Sequence, residues 1–199
     1  MKDEMEKYLK DLKNDPSLIY NGPFMIQLSR FSTLPYNIIE KYAEWLDWHE
    51  ICHFKHMSNK FMSKPNILPY IRFDIISRTQ RLTEEFIEKH KDKVEWSSIC
   101  GGQKMSENFL LKHMEDLIIE PLLYNKKIKL TDNFWRSAFT TNPDIEINGK
   151  WISNQFCQPF SKNFIREFSD HFKNINGRII GSRDRNLWKE FGIKYWEKY

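Results

Sequence analysis

The hydrophobic residues of the chain recur in a short repeated pattern. Three copies begin with an aromatic residue, continue with Ile three positions later and end on a small residue, as in Trp48–Cys52, Phe73–Ser77 and Trp96–Cys100. A hydroxyl residue follows ten positions after each aromatic, and Phe comes three positions after the hydroxyl. Thr131 and Ser161 are also followed by Phe at this interval, so the full set is Phe61, Phe86, Phe109, Phe134 and Phe164.

The spacing of the copies is nearly constant. Counted from the hydroxyl residue, or from Pro35 in the first and degenerate copy, they start at positions 35, 58, 83, 106, 131 and 161, so that most intervals are 23 or 25 residues. The last interval is 30 residues because of an insertion near 139–150. Periods of this length are typical of repeat proteins, in which successive units stack to bury a continuous core.

Each copy predicts two short helices. A Ser or Thr directly before acidic residues, as at Thr83 and Ser106, is typical of an N-cap, because its hydroxyl accepts from a free N–H of the first turn. Phe86, His90 and Val94 then lie on one apolar stripe of a helix. The aromatic segment before it predicts a helix of about two turns. Isolated helices of this length are marginal in water, so the copies must stack.

The pattern therefore predicts a mainly all-α fold, an array of five or six helix-turn-helix repeats. We divide the chain into an N-terminal capping segment (1–33), a helical repeat domain (34–173) and a C-terminal basic aromatic segment (174–199). Asn148–Gly149 is a hairpin-turn signature. We therefore expect a small β-hairpin near 145–152, inserted in the helical array.

Composition narrows the class of protein. The chain has 199 residues, of which 40% are hydrophobic and 15% aromatic, and this argues against disorder. Its apolar runs are far shorter than the roughly 20 residues of a membrane span, and Met1–Glu4 has no signal-peptide character. Three widely spaced cysteines indicate reduced thiols. We expect no membrane partner and no secretion through a signal peptide.

Two segments resemble a known kind of repeat. Leu82–Trp96 and Gln103–Phe109 are similar to the short "W..I...Q.LSE.FI.KH.D.V.W" repeats of uncharacterised proteins of giant DNA viruses and large phages. The resemblance is clearest over 73–113 and extends over 34–135, and the chain departs from it at Pro121, where an aromatic is expected. It implies a viral origin and a helical array, and it brings no catalytic residues. The expected location is the host cytoplasm or the virion.

One cluster has the composition of a metal site. His49, Cys52, His53 and His56 lie within eight residues and could in principle bind zinc. However, Cys52 occupies the same repeat position as Cys100, which has no His nearby, and a short helix cannot direct all four side chains at one ion. We therefore expect no metal and no cofactor.

The remaining candidate chemistry also favours packing. His90 and His113 share a repeat position with Tyr42 and Phe168, which indicates an aromatic packing position. A second shared repeat position is occupied by Gln80, Gln103 and Gln158, and by Lys55 in a further copy. We expect these side chains to hydrogen-bond the following turn. The alternative is that they form a row of polar groups along one face of the array, which could contact a partner. The chain contains no nucleotide-binding or hydrolase motif, so we expect a protein without enzymatic activity.

Positive charge is concentrated at the C-terminus. The net charge is +4, and residues 178–199 account for +3 of it. Basic side chains that alternate with aromatic ones can hold phosphates and stack on bases, or dock into a groove of a protein. The candidate binding residues are Arg178, Arg183, Arg185, Trp188, Lys189, Tyr195 and Trp196.

These observations predict a non-enzymatic interaction protein of a virus or phage. It would act in virion assembly or bind a host factor, including a host-defence protein, with a capsid or host protein as its partner. The alternative is a nucleic-acid-binding protein that uses the C-terminal segment.

Overall fold

The predicted all-α class is confirmed. The computed structural model describes residues 2–148, 160 and 162–173, and most of them lie in helices and turns. The chain forms two compact units, residues 1–95 and 96–199, which are called the N-terminal and C-terminal units below. None of the described helices is long and apolar enough to cross a membrane.

The N-terminal unit consists of one leading helix and three helix pairs. The leading helix α1 (Lys2–Asn14) ends where Asp15–Pro16 predicts, and a 3₁₀ turn, Pro16–Tyr20, follows it. The pairs are α2 (Gly22–Ser29) with α3 (Tyr36–Lys41), α4 (Trp48–Phe54) with α5 (Asn59–Met62), and α6 (Phe73–Thr79) with α7 (Glu84–Lys89). A second 3₁₀ turn, Leu68–Tyr70, precedes α6. Helix α4 packs against both α2 and α6, so the first helix of each pair contacts the first helix of the next.

The C-terminal unit repeats this arrangement. Its described pairs are α8 (Trp96–Gly102) with α9 (Glu107–Lys112) and α10 (Ile119–Tyr124) with α11 (Asp132–Thr141). Helix α10 packs against α8, and α11 packs against α9. Helix α12 (Lys162–Glu167) and a 3₁₀ turn, Ser169–His171, follow. An ion pair between Arg136 and Glu167 joins α11 to α12.

The sequence predicts a β-hairpin near 145–152, and the structure has a strand there that pairs with a distant segment of the chain. The two-residue strand β1 (Ile147–Asn148) pairs in parallel with β2 (Phe172–Lys173), which lies after α12. A hairpin joins antiparallel neighbours, whereas this pairing closes a longer connection. Residues 149–152, the other arm of the predicted hairpin, lie outside the described residues.

The predicted N-caps are confirmed, and they explain where the second helix of each pair begins. Each capping hydroxyl accepts from the N–H of the Phe three positions later, at 3.1–3.2 Å. The capping residues are Ser58, Thr83, Ser106 and Thr131, all with extended backbones. Ser161 lies outside the described residues.

The helix predicted to extend toward Val94 is shorter than its apolar stripe. Helix α7 ends at Lys89, and the N–H groups of Lys93 and Val94 both bond to the carbonyl of His90. Val94 is nevertheless buried, because this turn returns it to the core. An apolar residue placed by a tight turn can imitate a further helical position in the sequence.

The core contains the residues that the repeat pattern places there. Ile51, Cys52, Ile99 and Cys100 are completely buried. The aromatic packing position is also confirmed. His90 packs against Phe73 and Phe86, with ring centroids 5.2 and 4.7 Å apart, and His113 packs against Trp96 and Phe109 at 5.3 and 4.5 Å.

Candidate functional site

Neighbouring repeats are joined by three kinds of hydrogen bond at the ends of their helices. In the first kind, the acceptor is the small residue of the first helix of a pair. In each case this residue accepts from the N–H of the residue that precedes the next first helix. The bonds are Asp47 N–H to Ser29 Oγ at 2.9 Å, Glu95 N–H to Ser77 Oγ at 3.0 Å and Ile118 N–H to Cys100 Sγ at 3.4 Å. Because Ser29 belongs to this series, α2 makes the inter-repeat contact of the later first helices, although it lies within segment 1–33.

The second kind of bond uses the side chain at the C-terminal end of the first helix. The Gln80 amide donates to the carbonyls of Cys52 and Lys55, at 3.0 and 2.9 Å, and its oxygen accepts from Met57 N–H at 3.0 Å. In the C-terminal unit, Asn125 donates to the carbonyls of Cys100 and Gln103, both at 2.7 Å. The last carbonyls of a helix have no partner within it, so these amides satisfy them.

The third kind of bond satisfies the N–H of the N-cap residue. The Tyr36 hydroxyl accepts from Ser58 N–H at 3.3 Å, and Asn59 Oδ1 accepts from Thr83 N–H at 3.4 Å. In the C-terminal unit, the Glu107 carboxylate accepts from Thr131 N–H. Each acceptor is the first residue of a second helix and reaches forward to the next repeat, so both ends of the helices are held by neighbouring repeats.

A groove of about 430 Å³ lies in the N-terminal unit between two of the connecting loops. We call it the loop groove, and it is lined by His56, Met57, Ser58, Gln80 and Arg81. Met57 and Gln80 are buried, whereas His56, Ser58 and Arg81 are exposed. The groove therefore has a buried base and a polar rim.

The two loops are held in place by the inter-repeat bonds. The backbone is extended at Lys55 (φ −92°, ψ 120°) and at Gln80 (φ −102°, ψ 160°), where each loop begins. The Gln80–Met57 bond joins them, and the Asn59 side-chain amide donates to the Arg81 carbonyl at 3.1 Å. A groove with walls fixed in this way can bind without a large ordering cost.

The stretch of sequence that contains the lining residues of the loop groove is rich in basic residues. Residues 51–83 contain six Lys or Arg side chains and one acidic side chain, Asp74. Lys64 pairs with Glu40 at 2.5 Å, and Arg72 pairs with Asp74 at 3.3 Å. Among the described residues, Arg81 has no ion-pair partner, so its guanidinium is available at the rim.

Lys55 has a structural role beside the groove. Its ammonium donates to the Ser32 carbonyl at 3.0 Å and lies 5.0 Å from the ring centroid of Tyr36. Burial lowers the pKa of Lys55 from its ordinary value. The side chain thus links two repeats in the way that Gln80 does.

The four residues of the candidate zinc cluster are not brought together. Cys52 is completely buried in the core, and burial raises the pKa of its thiol to about 11. His49, His53 and His56 are exposed, and the rings of His49 and His53 stack with centroids 6.3 Å apart. Within the described ranges, no group of three or more His, Cys, Asp or Glu side chains could hold a metal ion.

The C-terminal binding residues expected from the sequence all lie outside the described residues. They are Arg178, Arg183, Arg185, Trp188, Lys189, Tyr195 and Trp196. Their role in binding stays a prediction.

Sequence reasoning missed the loop groove, although one signal for it was present. The second residue after the end of each first helix is His, Arg or Lys in four successive copies, at His56, Arg81, Lys104 and Lys126. The register is also present in the alignment at the hydroxyl positions, where His56, Arg81 and Lys104 each stand two positions before the hydroxyl residue.

Comparison with known proteins adds no functional assignment. No family model, curated protein or solved structure matches the chain. The function is therefore argued from the residues and their geometry.

Proposed function

We propose that this chain is a non-enzymatic helical-repeat interaction protein of a virus or phage, and that it binds a protein partner in the loop groove. The partner is a capsid protein or a host factor, such as a host-defence protein, and the sites of action are the virion and the host cytoplasm. The observation that carries this proposal is a preformed groove between two repeat loops with a free guanidinium at its rim.

Some polar residues of the N-terminal unit join the repeats, and others are exposed on the loops, and this difference supports binding at the loops. Gln80, Ser77 and Asn59 use their side chains to join repeats, so they belong to the scaffold. The exposed loop residues His56 and Arg81 are then presented by a rigid framework. Binding residues on loops that a scaffold holds in place are a common arrangement in proteins.

An exposed aromatic residue, Phe54, directly precedes the loop that begins at Lys55 and forms one side of the groove. Phe54, at the end of α4, is 45% exposed, and its ring lies edge-on to His53 at 4.7 Å. Aromatic and Arg side chains are enriched in the residues that dominate the energy of protein interfaces. Arg81 is therefore the lining side chain that we expect to contribute most to binding, and Phe54, which does not line the groove, is a candidate for an additional contact.

The proposal is tested by comparative affinity purification from infected cells, followed by quantitative mass spectrometry. The baits are the tagged wild-type chain, Arg81→Glu and the control Lys10→Glu, which makes the same change of charge on the exposed face of α1. We expect one partner protein to be recovered with the wild type and with Lys10→Glu and to be lost with Arg81→Glu. Recovery of the same proteins with all three baits would contradict binding in the loop groove.

The sequence of the C-terminal segment favours a second candidate function, nucleic-acid binding. Residues 178–199 combine a charge of +3 with five aromatic residues. Charge reversal at Arg183, Arg185 and Lys189 should abolish a salt-sensitive mobility shift of single-stranded nucleic acid. If the wild-type chain produces no shift, this candidate is wrong.

A further inference from the structure

We infer that the occupant of the loop groove is an acidic, extended segment of the partner protein. This inference rests on the proposed function and specifies the chemistry of the partner. Charge, hydrogen-bonding capacity and the shape of the groove each support it.

The charge of the lining residues indicates the charge of the ligand. In the part of the chain that the structure describes, the lining residues include Arg81 and His56 and no acidic side chain. The one acidic side chain of residues 51–83, Asp74, lies 3.3 Å from Arg72. A carboxylate that entered the groove would therefore meet the Arg81 guanidinium without a competing anion from this stretch, and such charge-assisted bonds are stronger than neutral ones.

Main-chain groups at the groove also favour a ligand rich in acceptors. Within the described part of the chain, the N–H groups of His56 and Arg81 have no hydrogen-bond partner. Carbonyl and carboxylate oxygens of an extended segment could accept from both. Pairing of an extended peptide with exposed main-chain groups, with side-chain contacts that give specificity, is a recurring mode of peptide recognition.

The lining favours a protein segment over a nucleic acid. Among the described residues that line the groove there is no Phe, Tyr or Trp, and one of them carries a guanidinium. Proteins that bind single strands usually offer aromatic platforms to successive bases and several cations to the backbone. A volume of about 430 Å³ accommodates a few residues of an extended segment.

The inference is tested by fluorescence anisotropy with a labelled peptide of alternating Glu and Ser, about 12 residues long so that it exceeds the few extended residues that the groove accommodates. Two further probes are the same peptide with Lys in place of Glu and a single-stranded DNA of similar length. The protein is the full chain as wild type, Arg81→Glu, Arg81→Ala and the control Lys10→Glu. Circular dichroism establishes that each variant is folded.

We expect the Glu peptide to bind the wild type and Lys10→Glu equally, and Arg81→Glu to weaken binding by about tenfold or more, with Arg81→Ala between them. The Lys peptide should bind more weakly than the Glu peptide. Equal binding of the Glu peptide to wild type and Arg81→Glu, its failure to bind the wild type, or tighter binding of the Lys peptide or the DNA would overturn the inference.

The failure of this inference can be distinguished from the failure of the proposed function. If affinity purification recovers a partner that depends on Arg81 while the Glu peptide does not bind, the groove binds protein and the assignment of an acidic segment is wrong. If Arg81→Glu changes neither result, both proposals fail.

Discussion

The side-chain amide of Gln80 lies 3.0 Å from the carbonyl oxygen of Cys52, a residue 28 positions earlier and one repeat back. The same amide also donates to the Lys55 carbonyl and accepts from Met57 N–H. One buried side chain thus satisfies three main-chain groups of the preceding repeat and forms part of the base of the loop groove. The stability of the N-terminal unit and the shape of the groove depend on the same residue.

Replacement of Gln80 by Met should destabilise the protein strongly. Met has a similar volume but leaves the Lys55 carbonyl and the Met57 N–H without these partners, while the Cys52 carbonyl keeps the Thr79 hydroxyl, and the loss should cost about 2–4 kcal/mol. The control is Gln27→Met on the exposed face of α2, for which the change should be within about 0.5 kcal/mol. The measurement is urea unfolding followed by circular dichroism, and similar midpoints for the two variants would refute a bridging role for Gln80.

Two adjacent glycines of α8 should respond differently to the same substitution. A Cβ at Gly101 would lie 3.3 Å from Pro121 Cβ, whereas a Cβ at Gly102 meets nothing within 4 Å. Gly102→Ala should therefore raise the free energy of unfolding by up to about 1 kcal/mol, because Ala loses less conformational entropy than Gly. Gly101→Ala should increase stability less than Gly102→Ala, or should decrease it, because Pro121 of α10 must move away from the added methyl group. Equal gains in denaturant unfolding would show that the contact with Pro121 imposes no constraint.

His90 should make the protein sensitive to mild acid. Its Nε2 is buried without a hydrogen-bond partner among the described residues, and burial, with smaller effects of Lys93 and Lys89, lowers its pKa below the ordinary 6.5. Below about pH 6.5 the unfolded chain binds this proton more readily than the folded chain, so stability falls as the pH falls.

The test compares wild type with His90→Phe, since Phe168 has the corresponding repeat position. Between about pH 7.5 and 5.5, the free energy of unfolding should fall more steeply for the wild type than for the variant. Parallel pH profiles would mean that His90 accepts a proton in the fold as easily as in the unfolded chain.

The cysteines of the first helices should be unreactive in the native state. Cys52 and Cys100 are completely buried, and burial raises the Cys52 pKa to about 11, so roughly a thousandth of this thiol is ionised at pH 8. In a Cys157→Ser background, a thiol reagent should label both cysteines within minutes in denaturant and much more slowly in buffer. Rapid labelling of the folded protein would place a cysteine at the surface and reopen the question of a site at His49–His56.

The sequence was most informative about features that depend on short spacings. The capping hydroxyl of Thr83 and the burial of Phe86 follow from a helix start and a helical period, and both were predicted. The bonds from Gln80 to Cys52 and from Asn59 to Thr83 were not, because the repeat pattern does not specify which neighbour a side chain reaches. We expected Gln80 to bond the following turn, whereas it reaches back to the preceding repeat.

The loop groove could not be predicted for a related reason. Its lining residues come from two loops 22 or more residues apart in the sequence, and their juxtaposition depends on how repeats stack. The pairing of Ile147 with Phe172 is a similar case, since the turn signature at Asn148–Gly149 points to a local partner. Short-range patterns in the sequence therefore predicted the helices, whereas the position of the loop groove depends on how the repeats stack.

The most direct test of binding in the loop groove is site-specific photo-crosslinking in infected cells. A photoreactive amino acid replaces His56, which is exposed and lines the groove, or Lys10 on α1 as the control. We predict that the His56 position crosslinks to a single protein and that the Lys10 position does not. Absence of a protein crosslink at position 56, or the same crosslinked protein at both positions, would contradict the proposal that the groove is the binding site.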